Sequence, residues 1–141
     1  MHTDKSDAKR LSGKCMCGAI VFEALADKPE VVACHCGQCR AWSGHYWASI
    51  NVPFDAMKIK VGEEHLSWFR SSDYARRGFC ARCGSALFWH ADKLDEHKHR
   101  IAVAAGALSP PTGVKVERHI FVADKGDYYD IADGAPQLDT Y

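Results

Sequence analysis

Short runs in which apolar and polar side chains alternate recur along the chain, and no stretch keeps a helical period for three turns. Alternation puts every second side chain on one face of an extended segment, so each run predicts a strand with one face towards a core. The runs are residues 19–24, 31–34, 46–52, 57–61, 66–70, 85–89, 100–104, 117–122 and 127–131. They are enriched in β-branched and aromatic residues, and Gly, Pro, Asp or Ser lies near most of their ends. The best short helical segments are 39–43 and 91–97. The pattern predicts an all-β, layered, single domain over residues 12–141. Residues 1–11, polar and mixed in charge, are expected to form a frayed tail.

Composition narrows the partners. The 141 residues suit one domain with one continuous core. An apolar share of 47% and a charged share of 26% are those of a globular chain and exclude disorder. Lys plus Arg number 18 and Asp plus Glu number 18, so zero net charge gives no reason to expect nucleic acid or an anionic membrane surface. A neutral chain repels its copies weakly, which favours a homodimer, and a small molecule is the expected partner. The first residues lack the apolar run of a secretory signal, and no apolar run is long enough to cross a bilayer. A cytoplasmic location is therefore expected, where thiols stay reduced.

Seven cysteines then carry the chemistry: Cys15, Cys17, Cys34, Cys36, Cys39, Cys80 and Cys83. An odd number in a reducing compartment is no disulfide framework, and the close spacings suit metal. Cys15-Met16-Cys17 opens an expected strand, where residues i and i+2 point to the same face. Cys80-Ala81-Arg82-Cys83-Gly84 has the two-residue spacer that lets a chain turn round an ion. Together they give four thiolates, a closed set suited to a structural zinc. Cys34-His35-Cys36-Gly37-Gln38-Cys39 combines both spacings and leaves three thiolates without a fourth cysteine. Three protein ligands and an open position make a catalytic zinc; a histidine in fourth place, from His35, His45 or His119, would make a second structural one. Spacing also leaves open another partition of the seven cysteines between two metals. A redox role has less support, because no thioredoxin-like βαβ pattern surrounds either CxxC pair.

The order GKCMCGAI, ACHCGQCRAWSG, SSDYARRGFCARCGSALF resembles the family of glutathione-dependent formaldehyde-activating enzymes, also called GFA or CENP-V-like. The later segments VAAGAL and ERHIFVADKGDYYDIADGAPQ extend the likeness over roughly residues 12–138. The resemblance implies a β-tent fold, two stacked antiparallel sheets stapled by a zinc on four cysteines. It assigns Cys15, Cys17, Cys80 and Cys83 to that structural metal, and Cys34, Cys36 and Cys39 to a catalytic one. The implied activity is carbon–sulfur lyase chemistry on S-hydroxymethylglutathione, the adduct of formaldehyde and glutathione.

Chemistry supports an enzyme at the second site, since coordination deprotonates a substrate thiol and supplies a nucleophile at neutral pH. Gln38, Arg40 and Trp42 are the candidate substrate contacts, Arg40 through a bidentate grip on a carboxylate. His35 lies between two ligands and is expected to point away from them. Ser71, Ser72 and Arg77 are candidates either for the cleft wall or for a turn. The competing class is a non-catalytic zinc module that binds a partner protein.

Overall fold

The computed structural model describes residues 8–141, and among them are ten strands and one α-helix. The strands are β1 (Lys9–Lys14), β2 (Val21–Ala26), β3 (Val31–Cys34), β4 (Trp47–Pro53) and β5 (Met57–Val61). After them come β6 (Leu66–Arg70), β7 (Arg76–Cys80), β8 (Ala86–His90), β9 (Arg100–Ala104) and β10 (Val116–Ile120). The helix α1 (Gly37–Ser43) leaves β3 directly.

A three-stranded sheet in the order β1-β2-β5 faces a seven-stranded sheet in the order β10-β3-β4-β9-β8-β7-β6. All pairings are antiparallel except that of β10 with β3, which is parallel. The expected stacked sheets are thus present, and the larger one is mixed. Alternation does the packing: in β2 the buried residues are Phe22, Ala24 and Ala26, with Glu23 facing outwards between them. They meet Ile50, Val52, Leu87, Phe88, Ile101 and Val103 of the large sheet in one apolar cluster. Phe22 and Phe88 touch edge-on with centroids 5.2 Å apart, an aromatic pair worth roughly 1 kcal/mol beyond its buried area.

The expected strands at 31–34, 57–61, 66–70 and 100–104 match β3, β5, β6 and β9, and four others lie within two residues of their observed limits. Two strands were not anticipated. In β1 only Leu11 and Gly13 are buried, too little apolar surface to signal a strand. It starts at Lys9, inside the stretch expected to fray; the tail's first seven residues lie outside the described ones. In β7 the buried positions include Arg77 and Gly78, which look unlike a strand. Residues 127–131, expected as a strand, pair with nothing, and 91–97 is a succession of turns rather than a helix. No helix among the described residues is long and apolar enough to cross a membrane.

Candidate metal centres and the cleft beside them

Cys15 and Cys17 lie in the turn between β1 and β2, Cys80 ends β7, and Cys83 lies in the turn that follows it. The extended geometry expected for Cys15 and Cys17 is therefore corrected. The Cys15 amide bonds to the Ile20 carbonyl at 3.1 Å, the Gly18 amide to the Cys15 carbonyl at 3.1 Å, and Gly18 takes φ +79°. A turn aims amides as well as sulfurs inwards, and the Ile20 N–H donates to Cys15 Sγ at 3.3 Å. The second knuckle repeats the device, with Gly84 at φ +79° and its amide 2.7 Å from the Cys80 carbonyl. The Met16 amide donates to Ser85 Oγ at 2.9 Å and ties the two knuckles together.

The four sulfurs lie within 4.8 Å of one another; Cys15–Cys17 is 3.6 Å and Cys17–Cys80 is 3.8 Å. Zinc–thiolate bonds of about 2.3 Å at tetrahedral angles require sulfurs about 3.8 Å apart, so the set fits zinc. All seven cysteines are free thiols. Ser85 Oγ, 3.2 Å from Cys83 Sγ, pulls that thiol down to about 5, towards the thiolate a metal needs.

Cys34, Cys36 and Cys39 form a second cluster, their sulfurs also within 4.8 Å of one another. Cys34 ends β3, Cys36 caps α1 by accepting the Cys39 amide at 3.4 Å, and Cys39 is buried in the first turn. Gly44, left-handed at φ +87°, ends the helix after seven residues. The three thiols share charge unevenly. Hydrogen bonding from Cys34 and Cys39 draws Cys36 down to about 2, and the same contacts push Cys34 far up. A cation is what would let all three ionise.

No histidine joins this cluster among the described residues, and the three candidate fourth ligands are engaged elsewhere. His35 Nε2 lies 2.8 Å from His119 Nδ1, and His35 Nδ1 lies 2.6 Å from the Tyr129 hydroxyl. His119 Nε2 lies 2.9 Å from the Asp133 carboxylate, and His45 Nδ1 lies 2.8 Å from the Tyr128 hydroxyl. His35 is fully buried, and burial together with His119 pulls it down to about 4, so the ring is neutral at pH 7.

Arg77, which the sequence offered for either a cleft wall or a turn, faces the second cluster. Its side chain is buried, with Nη1 and Nη2 at 3.7 and 3.8 Å from Cys39 Sγ and Nη2 donating to Gln38 Oε1 at 3.2 Å. Its guanidinium thus faces the cysteine cluster through the Cys39 sulfur. Arg77, Gln38, Ala41, Trp42, Phe69 and Ser71 line a cleft of about 310 Å³. Gln38 and Trp42 thus both line the cleft. Arg40 does not: its Nε donates to the His35 carbonyl and its Nη2 to the Asp124 carbonyl. Ser71 lines the cleft and accepts Gln38 on its carbonyl, while Ser72 serves the turn before β7. Phe69 is exposed and lines the same cleft. A larger groove of about 580 Å³ runs from Lys14 and Met16 past Tyr46 and Trp47 to Ser109.

The family profile described as glutathione-dependent formaldehyde-activating enzyme matches residues 10–124, most of the chain and all seven cysteines. The chain belongs to that family. This member of the glutathione-dependent formaldehyde-activating enzyme family is 31% identical over 128 residues to a provisionally named glutathione-dependent formaldehyde-activating enzyme of Halomonas elongata. That match covers 86% of this chain and 80% of the relative. It is 28% identical over 121 residues to an uncharacterized lyase of Schizosaccharomyces pombe, covering 85% and 84% respectively. A crystal structure of a Rhodobacter sphaeroides protein superposes with a TM-score of 0.57 over 90% of this chain and 98% of that one. At 18% identity, that likeness speaks to the fold of this family member alone.

Proposed function

We propose that this family member is a zinc-dependent carbon–sulfur lyase-type enzyme acting on a small thiol–aldehyde adduct such as S-hydroxymethylglutathione. The observation that carries the reading is the three-sulfur cluster beside a cleft, with every candidate histidine bonded elsewhere. Cys15, Cys17, Cys80 and Cys83 hold a structural zinc in this reading; Cys34, Cys36 and Cys39 hold the reactive one. Zinc bound by three thiolates supplies a Lewis acid with one open position, suited to a soft sulfur ligand.

The chain's own residues do the rest. Arg77 offsets the charge of the cysteine cluster from the buried side. Its bond to Gln38, and that of Gln38 to the Ser71 carbonyl, keep the cleft wall in place. Trp42 and Phe69 give the cleft an apolar surface that limits water at the reacting carbon. The larger groove shares Trp47, Ala104 and Ala107 with the packing round the cluster, and is large enough for a tripeptide. Lys14 on its rim offers a cation to a peptide carboxylate. In the lyase direction the C–S bond of the adduct breaks, its carbinol proton passes to solvent, and thiolate and aldehyde separate. Addition is the reverse.

Zinc per chain by native mass spectrometry, followed by exchange spectroscopy of formaldehyde and glutathione with their adduct, tests the reading. Two zincs, and exchange faster than the uncatalysed reaction that disappears in Cys39→Ser, are expected. One zinc per chain, or exchange at the uncatalysed rate, would move the reading to a zinc-stapled interaction module.

A further inference from the structure

Four side chains from distant parts of the sequence form one hydrogen-bonded line that no step above uses. It runs from Asp133 through His119 and His35 to Tyr129, with contacts of 2.9, 2.8 and 2.6 Å. His35 and His119 are buried, and Asp133 stands at the surface end. Chemistry fixes the direction of every bond. An ionised carboxylate accepts only, so His119 Nε2 carries the hydrogen, and in the neutral ring its Nδ1 accepts. His35 Nε2 must then donate, which leaves His35 Nδ1 to accept from the Tyr129 hydroxyl. The Tyr129 oxygen in turn accepts the Gly126 amide at 3.3 Å. No group in the line has a second choice while the carboxylate is charged and both imidazoles are neutral.

His35 stands between Cys34 and Cys36, and its backbone is held as firmly as its ring. Its amide donates to the Ile120 carbonyl at 3.0 Å, and its carbonyl accepts Arg40 Nε at 3.2 Å. Side chains alternate along this short extended stretch, so the sulfurs of Cys34 and Cys36 lie across the backbone from the imidazole. A rotation of the stretch about its axis would swing both sulfurs at once, and the anchored ring is the lever that prevents it. Tyr46 packs against the ring at a tilt, with centroids 4.9 Å apart.

We propose that Asp133 and Tyr129 are positioning residues which, acting through His119 and His35, fix the Cys34 and Cys36 sulfurs for the second metal. The inference rests on the reading that this cluster binds zinc. It assigns the chain's last segment a function at a site far away in sequence, Tyr129 lying 94 residues beyond His35, which the CxCxxC motif does not record. Partners that orient ligands from behind change metal affinity by about 10- to 100-fold.

The test follows zinc transfer from the two-zinc protein to a chromogenic chelator in wild type, Tyr129→Phe, Asp133→Asn and Asp133→Glu. Two phases are expected in wild type, the slower from the four-cysteine site. Tyr129→Phe and Asp133→Asn should release the faster zinc about tenfold sooner and leave the slower phase unmoved, and Asp133→Glu should restore the wild-type rate. The visible bands of the cobalt-substituted second site should shift in the same two variants and not in the third. Unchanged fast phases and bands would overturn the inference, and so would equal acceleration of both phases, which would mark general loosening. A single zinc in wild type would overturn the two-metal reading itself and take the inference with it.

Discussion

A buried guanidinium is costly unless an anion answers it, and Arg77 meets sulfur rather than carboxylate. The residue is therefore bound to the charge state of Cys34, Cys36 and Cys39. Replacing Arg77 with Met leaves the cluster without that positive neighbour, and zinc affinity at the second site should fall about tenfold, the scale of outer-sphere substitutions. Arg77→Lys should retain part of it, because a point charge remains where the fork is lost. Competition titration with a chromogenic chelator reads both; equal affinity in the Met variant and wild type would remove Arg77 from the site. The cysteines themselves were legible from spacing alone, since sulfurs two or three residues apart converge in almost any compact turn. Which arginine faces them was not. Arg40 is next to a ligand in sequence and serves carbonyls, whereas Arg77 arrives from β7, whose register against β6 and β8 no local pattern announces.

Elements explain why the two clusters should differ in weight. The four-cysteine set joins the β1–β2 turn of the small sheet to the end of β7 and the turn after it in the large one, Cys80 standing 63 positions after Cys17. Closing such a loop without the ion is entropically unfavourable, so its metal contributes to folding directly. The three-cysteine set spans only the end of β3 and the start of α1, which hold their shape by backbone bonds. Cys83→Ser should therefore lose cooperative thermal unfolding, or lose at least about 3 kcal/mol, the lower range for removing a structural crosslink or metal. Cys39→Ser should keep the fold and lose one zinc. Circular dichroism melts with zinc counts decide it, and equal destabilisation of the two variants would end the proposed division of labour. Alternation revealed the strands that bury apolar side chains. It missed β1 and β7 because Gly13, Arg77 and Gly78 occupy their buried positions. It also misplaced 127–131, where Tyr128 and Tyr129 turn to His45 and His35 instead of pairing in a sheet.

At the scale of the molecule, the two edges of the large sheet differ: among the described residues no strand pairs with the outer side of β6, whereas β10 is covered. Strand β6 ends the sheet on one side, and on the other β10 is covered by the chain's last segment. The Leu138 amide bonds to the His119 carbonyl at 2.9 Å, the His119 amide to the Pro136 carbonyl at 2.8 Å, and the Phe121 amide to the Thr140 carbonyl at 2.9 Å. This segment lies beyond residue 124, where the family profile ends, yet it satisfies the outer edge of the strand beside Cys34. An uncovered edge offers unpaired amides and carbonyls to any other strand. A chain ending at residue 132 should thus keep its first zinc, release the second sooner through loss of Asp133, and associate with its own copies. Sedimentation velocity across a concentration series, run beside the full chain, reads that association. A truncated chain that sediments like the full one at every concentration would mean that β10 needs no cover, and that the last segment is there for His119 alone.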